Sequence, residues 1–305
     1  MDFDFDLSDF IVFRDRTECN RVRKISKEKI TEHENEGLNI KIIEREEEFY
    51  LAFAMDLVDR IRKKLESGED LVLILPVGPV PQYDIAARVI NTLNIPMDHV
   101  HTFNMDEYAD EDGNTAPESW EGSFKRAMYE NFFNKIDESL RPPKEQIHFP
   151  TSENIDHYGD MIEENGGADA CYGGIGWCGH IAFWESHLGV GYEDNLEEYK
   201  TLGPAIVELN PMTIMQNALH SFSGDWSSVP PKAATIGPAQ ILGAKHRSFW
   251  LDGYIGGGVS WQRFIARLVL HGPVTPLVPG SLLQTESGDI TLLGGVADDV
   301  EIDMA

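Results

Sequence analysis

An α/β fold is what this chain predicts: a doubly wound, mostly parallel sheet with helices on both faces. Three observations carry that expectation. From residue 38 onward, apolar strand-like runs alternate with segments whose apolar residues recur at helical spacing. One run, "DLVLILPVG", is apolar almost throughout, as expected of a strand buried on both faces. Reactive or glycine-rich segments follow several runs, namely "LPVGPVP", "FNMDEYAD" and "GGIGWCGHIAFWE". Ligands of open α/β sheets sit beyond the carboxyl ends of the strands, so these segments together predict one pocket on a Rossmann-like body.

The elements follow in order. Residues 1–37 are mixed and charged, with little to fill a core. They read as an arm that packs on the body or on a neighbouring subunit, with disorder as the bland alternative. "NIKIIE" alternates like a strand. "EREEEFYLAFAMDLVDRIRKKLESG" has acids in its first turn, bases in its last and Gly68 as a stop, the signature of a helix. "DLVLILPVG" is a strand and "PQYDIAARVINTLNI" a helix. "HVHTFNMDEY" and "ESWEGSFKRAMYENFFNKI" repeat the pair, as do "EQIHFPTS" and "DHYGDMIEENGG". "ADACYGGIGWCGH" runs from strand into turn, "AIVELN" and "PMTIMQNALHSF" from strand into helix. "KAATIG", "RSFWLDGYIGG" and "SWQRFIARLVLHG" close the series, which predicts one domain over residues 38–305.

Composition narrows the function. The chain has 305 residues, 42% of them hydrophobic, enough for a sizeable core. Its formal net charge is −27, from 52 acids against 25 bases, which argues against nucleic acid or an anionic membrane surface as partner. Cys19, Cys171 and Cys178 are odd in number and form no CxxC pair, so neither a disulfide framework nor a zinc knuckle is expected, and a reducing cytoplasm fits. The start, "MDFDFDLSDF", has no basic or apolar region of a signal peptide, and no apolar run is long enough to span a bilayer.

Several side chains could carry chemistry. Asp106 and Glu107 are adjacent on a strand and point to opposite faces, so one at most aims into a shared crevice. A partly desolvated carboxylate there has a raised pKa and can act as a base; the bland reading is a helix cap or a solvated acid. His180 and Glu185 follow the glycine turn. A histidine bonded to a carboxylate keeps one tautomer and shuttles a proton; the bland reading is a histidine on a backbone carbonyl. Cys178, His180 and Glu185 also read as metal ligands, but their spacing matches no metal motif, and no metal is expected. Cys178 as a nucleophile is a thin signal. "GGIG" lacks the dinucleotide fingerprint, so no nicotinamide cofactor is expected.

"FNMDEY", "PESW", "NFFNKI", "GGIGWCGHIAFWE" and "VPPKAATIG", taken together, resemble the glucosamine-6-phosphate deaminases, in the wider group that includes the 6-phosphogluconolactonases. The resemblance covers roughly residues 38–284; the arm is additional to it. It implies that Asp106 is the base that moves a proton between sugar C2 and C1, and that His180 opens the pyranose ring. It also implies that Glu185 supports His180, with Cys178 beside them, and that the backbone of Gly173, Gly174 and Gly176 lines the sugar. The implied reaction is aldose–ketose isomerisation with loss of ammonia, by general acid–base groups alone, with no cofactor. A homo-oligomer is implied as well.

The departures are equally specific. Cys178 stands where the family has an aspartate. The family loop that cradles phosphate reads like LPTGGTP; here Gly78 remains, but Val77 and Val80 bring no hydroxyl and Pro79 has no N–H. The family's phosphate-site arginine falls at Leu219 and its lysine near Gly256. The ring-opening end therefore reads as retained and the phosphate end as altered. The expected substrate is a sugar or sugar phosphate, with weak turnover of glucosamine 6-phosphate itself. Should phosphate bind all the same, Lys232, Lys245 or Arg263 has to supply the charge. A non-catalytic sugar-binding or regulatory protein on the same fold is the alternative, and a lactonase-type hydrolase the third reading.

Overall fold

A computed structural model describes residues 5–78, 80–253 and 259–302. Its strands are β1 (Leu38–Ile43), β2 (Leu71–Leu75), β3 (Val100–Asn104), β4 (Asp106–Ala109), β5 (Ile147–His148), β6 (Ala170–Gly173), β7 (Ala205–Glu208), β8 (Lys232–Thr235), β9 (Arg247–Leu251) and β10 (Gly288–Leu293). Seven form one sheet in the order β1-β10-β9-β6-β2-β3-β5, every neighbouring pair parallel. With helices packed around it, this is the α/β class expected.

The physical signals hold where they are strong. All five residues of β2 are buried, as its unbroken apolar run requires at the centre of a sheet. Helix Glu46–Ser67 buries Phe49, Phe53, Ala54, Leu57, Val58 and Ile61, one stripe at 3.6 spacing, and stops at Gly68 with φ 68°. Phe49 and Phe53 bring their rings 5.2 and 5.1 Å from that of Trp250 on β9, which fixes the helix to the sheet. Pro81 opens helix Pro81–Leu93 at its first turn, where the missing N–H costs nothing.

Three expectations need correction. "HVHTFNMDEY" is two strands, not one. Met105 donates its N–H to Leu75 of β2 and accepts from Ile236, so the chain leaves the large sheet there and enters a second one. That second sheet takes "AIVELN" and "KAATIG" out of the parallel series: β4, β8 and β7 pair antiparallel in that order. β10 is missing from the series expected on sequence; it fills the place between β1 and β9.

Within residues 1–37, a short helix, Arg16–Val22, is capped by Asp15, and Val22 and Ile30 are fully buried. The buried Arg267 of helix Arg263–His271 donates to the carbonyl of Ile25, and His271 meets that of Ile30. This part of the segment is therefore seated on the body.

Candidate active site

Chain order runs outward from β2 through β3 to β5 on one side, and from β6 through β9 to β10 on the other. The switch point lies between β2 and β6, where doubly wound sheets open a crevice. A cavity of about 1020 Å³ occupies that place. The loop after β2 lines it with Pro76, Val77, Gly78 and Val80, the loop after β6 with Gly174, Ile175, Gly176 and His180, and the end of β9 with Asp252 and Gly253. Asp106 enters from the crossing between the two sheets.

The alternation of a strand separates Asp106 from Glu107. Asp106 lines the cavity, only 6% exposed. Burial pushes its carboxyl up to about 7; the neighbouring Glu107 adds to the rise and His180 opposes it. Glu107 faces the other way. Its carboxylate accepts from Ser123 Oγ and from the backbone N–H groups of Phe124 and Lys125, which caps helix Phe124–Asn131. For Glu107 the bland reading, a helix cap, is the one the geometry bears.

The glycine turn serves the histidine. A Cβ on Gly176 would overlap His180 Nε2, so only glycine leaves room for the ring. Gly179 turns with φ 85°. His180 Nδ1 lies 2.9 Å from Thr213 Oγ1, 3.3 Å from Glu185 Oε2 and 3.3 Å from Cys178 Sγ. Thr213 Oγ1 and Cys178 Sγ each donate to Glu185 Oε2 at 2.9 Å. One assignment satisfies these contacts: the Thr213 hydroxyl and the Cys178 thiol give their protons to Glu185, and His180 Nδ1–H donates to Thr213. Nε2 is then the nitrogen beside Gly176 at the cavity.

Burial alone would lower the pKa of His180. The Glu185 carboxylate, the Cys178 sulfur and their hydrogen bonds outweigh it and hold the ring well above the ordinary imidazole range. Burial would likewise raise Glu185, but His180, Cys178 and Thr213 pull it below the usual carboxylate value. The result is a charge pair sealed from solvent: Glu185 is 0% and His180 6% exposed. Sγ, Nδ1 and Oε2 lie within 4.8 Å of one another, the one donor set of this kind among the described residues; Sγ is hydrogen-bonded to both of the others, which meet at 3.3 Å.

Of the eight residues expected at the site, Asp106, His180, Gly78, Gly174 and Gly176 line the cavity. Glu185 and Cys178 stand behind His180, and Cys178 opens onto a second cavity instead. Gly173 is outside the lining; a Cβ there would press within 2.7 Å of the Phe249 ring, so its role in the structure is packing. Leu219 is 45% exposed and also outside the lining, while Pro79 and Gly256 fall outside the described residues.

On helix Pro211–Ser221 sequence reasoning singled out Leu219 alone and missed the face that reaches the site. Asn210 caps it, and Thr213, Gln216, Asn217 and His220 recur at i, i+3, i+4 and i+7, one face that meets Glu185 and then the cavity. That polar stripe on an otherwise apolar helix was the available signal.

Comparison with known proteins bears on this arrangement. No protein-family model matches the chain. A glucosamine-6-phosphate deaminase of Caenorhabditis elegans is 32% identical over 232 residues, which are 70% of this chain and 79% of that protein. A glucosamine-6-phosphate deaminase of Mannheimia succiniciproducens is 30% identical over 237 residues, 72% of this chain and 81% of that protein. Among solved structures, a monomeric glucosamine-6-phosphate deaminase superposes with a TM-score of 0.69 at 25% identity, over 83% of this chain and 96% of its own. The 6-phosphogluconolactonase of Thermotoga maritima shares the fold at 16% identity, with a TM-score of 0.58 over 84% of this chain and 99% of its own.

Proposed function

The chain belongs to the glucosamine-6-phosphate deaminase family, and from that premise we propose that it is a sugar deaminase/isomerase working by general acid–base chemistry. In this reading Asp106 takes the proton from C2 of an open-chain amino sugar and returns it at C1. His180, charged and tied through Nδ1 to the Thr213–Glu185 pair, presents Nε2 to the ring oxygen and opens the pyranose. Glu185 and Cys178 are positioning groups. The proton shift leaves an iminium at C2; water adds there, the C2–N bond breaks, and ketose and ammonia are released with no electron acceptor.

One observation carries the proposal. Asp106 and His180 come from different sheets and loops, yet line one cavity, and burial holds the Asp106 carboxyl at about 7, where a base works best near neutral pH.

The same reading includes an altered phosphate end. Val77 and Val80 line the cavity without hydroxyls. The three bases that could have substituted are engaged elsewhere: Lys245 with Asp169, Arg263 with Asp298, and Lys232 with the carbonyl of Glu111. It further includes a homo-oligomer, with the arm of residues 1–37 contributing contacts, and a cytoplasmic location, motivated by three free cysteines. Light scattering that gives one protomer's mass would remove the oligomer. The test of function is ammonia release from glucosamine and its 6-phosphate, with an isomerase screen of neutral and acidic sugars beside it. Turnover of any of these, lost in Asp106→Asn, supports the enzyme; no turnover across the series defeats it.

A further inference from the structure

The charged side chains that line the cavity among the described residues are Asp106, Glu121 and Asp252, with the histidines His180 and His220; no lysine or arginine is among them. The neighbouring residues 254–258, Tyr-Ile-Gly-Gly-Gly, carry no base in sequence either. A phosphate dianion is held by charge-assisted donors, and this cavity offers carboxylates in their place.

Asp252 is the acid of interest. It follows β9 as Asp106 follows β3, and two strands, β6 and β2, stand between those two. At the usual strand spacing the two strand ends are ~14 Å apart, and both acids line the one cavity. A hexose with its reacting carbons at Asp106 and His180 would lie across the strand ends with its other end toward Asp252. Tyr50, from helix Glu46–Ser67, donates to Asp252 Oδ2 at 3.1 Å and holds the carboxylate in place. No described lysine or arginine pairs with it. Burial pushes its carboxyl up to about 6, with Glu46 adding repulsion and the Tyr50 hydrogen bond opposing. Such a group gains most from a ligand that donates to it.

We propose that Asp252, held by Tyr50, is the specificity-determining residue of the cavity, and that it selects a sugar whose end remote from the reacting carbons carries a hydrogen-bond donor, a hydroxyl or an ammonium, in place of a phosphate. The assignment of which end is remote rests on the deaminase reading. The carboxylate rejects phosphate by like charge and by leaving itself without a donor. It accepts the hydroxyl of an unmodified hexosamine, and an ammonium at that position more tightly.

Three ligands test this: glucosamine, its 6-amino-6-deoxy derivative and glucosamine 6-phosphate. Their affinities are measured by calorimetry on the full chain and on Asp252→Asn, Asp252→Lys and Tyr50→Phe, and ammonia release is followed in parallel. The expectation is that the wild type binds both non-phosphorylated sugars about tenfold or more tighter than the phosphate. Asp252→Asn and Tyr50→Phe shrink that ratio, and Asp252→Lys reverses it. A wild type that prefers the phosphate, or a ratio unchanged in all three variants, overturns the assignment. These are binding ratios, so they stand even if no ligand is turned over. Absence of turnover with the predicted ratios defeats the deaminase reading and leaves Asp252 as a selector; turnover without them does the reverse.

Discussion

The two ends of the cavity are built differently. Around His180 a thiol, a hydroxyl, an imidazole and a carboxylate meet within 2.9–3.8 Å, nearly all out of solvent. Each group is held by two or more of the others. Around Val77, Val80 and Asp252 the lining comes from the loops after β2 and β9, with Val80 39% exposed and Asp252 bonded to the Tyr50 hydroxyl. The contrast locates where a site can drift. A mutual network resists change because one lost partner leaves several buried groups unsatisfied. Cys178 belongs to it by donating its thiol proton to Glu185. Side chains on the loops after β2 and β9 answer to no such network, so that end of the cavity can change while the fold and the His180 cluster stay.

The largest effect expected is that of Asp106→Asn. Turnover should fall by roughly 10³-fold, since a positioned base contributes about 10²–10⁴. Stability should move the opposite way. With a folded pKa of about 7, raised above its unfolded value, Asp106 favours the folded state less and less as pH rises through the window up to about 7. The amide removes that penalty, so the variant should gain on the order of 2 kcal/mol at pH 8 and little at pH 4. Denaturant melts at both values measure it, and a variant destabilised equally at both would show that Asp106 is no strained carboxylate. In the wild type, kcat/KM should lose about tenfold per pH unit below the Asp106 pKa.

Glu185→Gln comes next. It removes the charge that holds His180 above the imidazole range, and should cost roughly 10³-fold in kcat with a smaller change in KM. An NMR titration of His180 is the independent readout: its pKa should drop in the variant, and an unchanged value would dissolve the pair.

The glycines then set the two ends side by side. Gly176→Ala puts a methyl into the space of His180 Nε2, so the ring must shift, and roughly 10²-fold in turnover with about 1–3 kcal/mol of stability should be lost. Gly78→Ala, whose Cβ would meet nothing within 4 Å, should leave stability within about 0.5 kcal/mol. Equal costs at the two positions would erase the distinction between a networked end and a free one.

The smallest loss of turnover given a figure is that of Thr213→Val. It keeps the shape and removes the hydroxyl between His180 and Glu185, at about 1–3 kcal/mol of stability and roughly tenfold in kcat. Direct contact between His180 and Glu185 at 3.3 Å should preserve the rest.

The sequence made the candidate site legible through its turn. Gly173, Gly174, Gly176 and Gly179, followed by His180 and Glu185, mark a backbone that bends tightly around reactive groups, because φ above zero and missing Cβ atoms are costly elsewhere. The opposite faces of Asp106 and Glu107 were legible too, from strand alternation. Thr213 was not, because a lone threonine in a helical run carries no sign of which distant carboxylate it will meet. Asp252 was hidden for the same reason, at the end of an otherwise ordinary strand.

What the chain determined by itself was local: apolar period, caps, breakers, and so the alternation that yields a parallel sheet with a crevice at its strand ends. These follow from backbone sterics and burial within a few residues. Only the tertiary structure decided that the chain would leave the large sheet at Met105, that β7 and β8 would pair with β4 in a sheet of their own, and that β10 would slot between β1 and β9. It alone joined Thr213 to His180 across 33 residues of sequence and set Asp252 at the far side of Asp106's cavity. Strand partners and side-chain meetings of this kind are settled by which long-range burial wins over the whole molecule, and no window of sequence contains that competition.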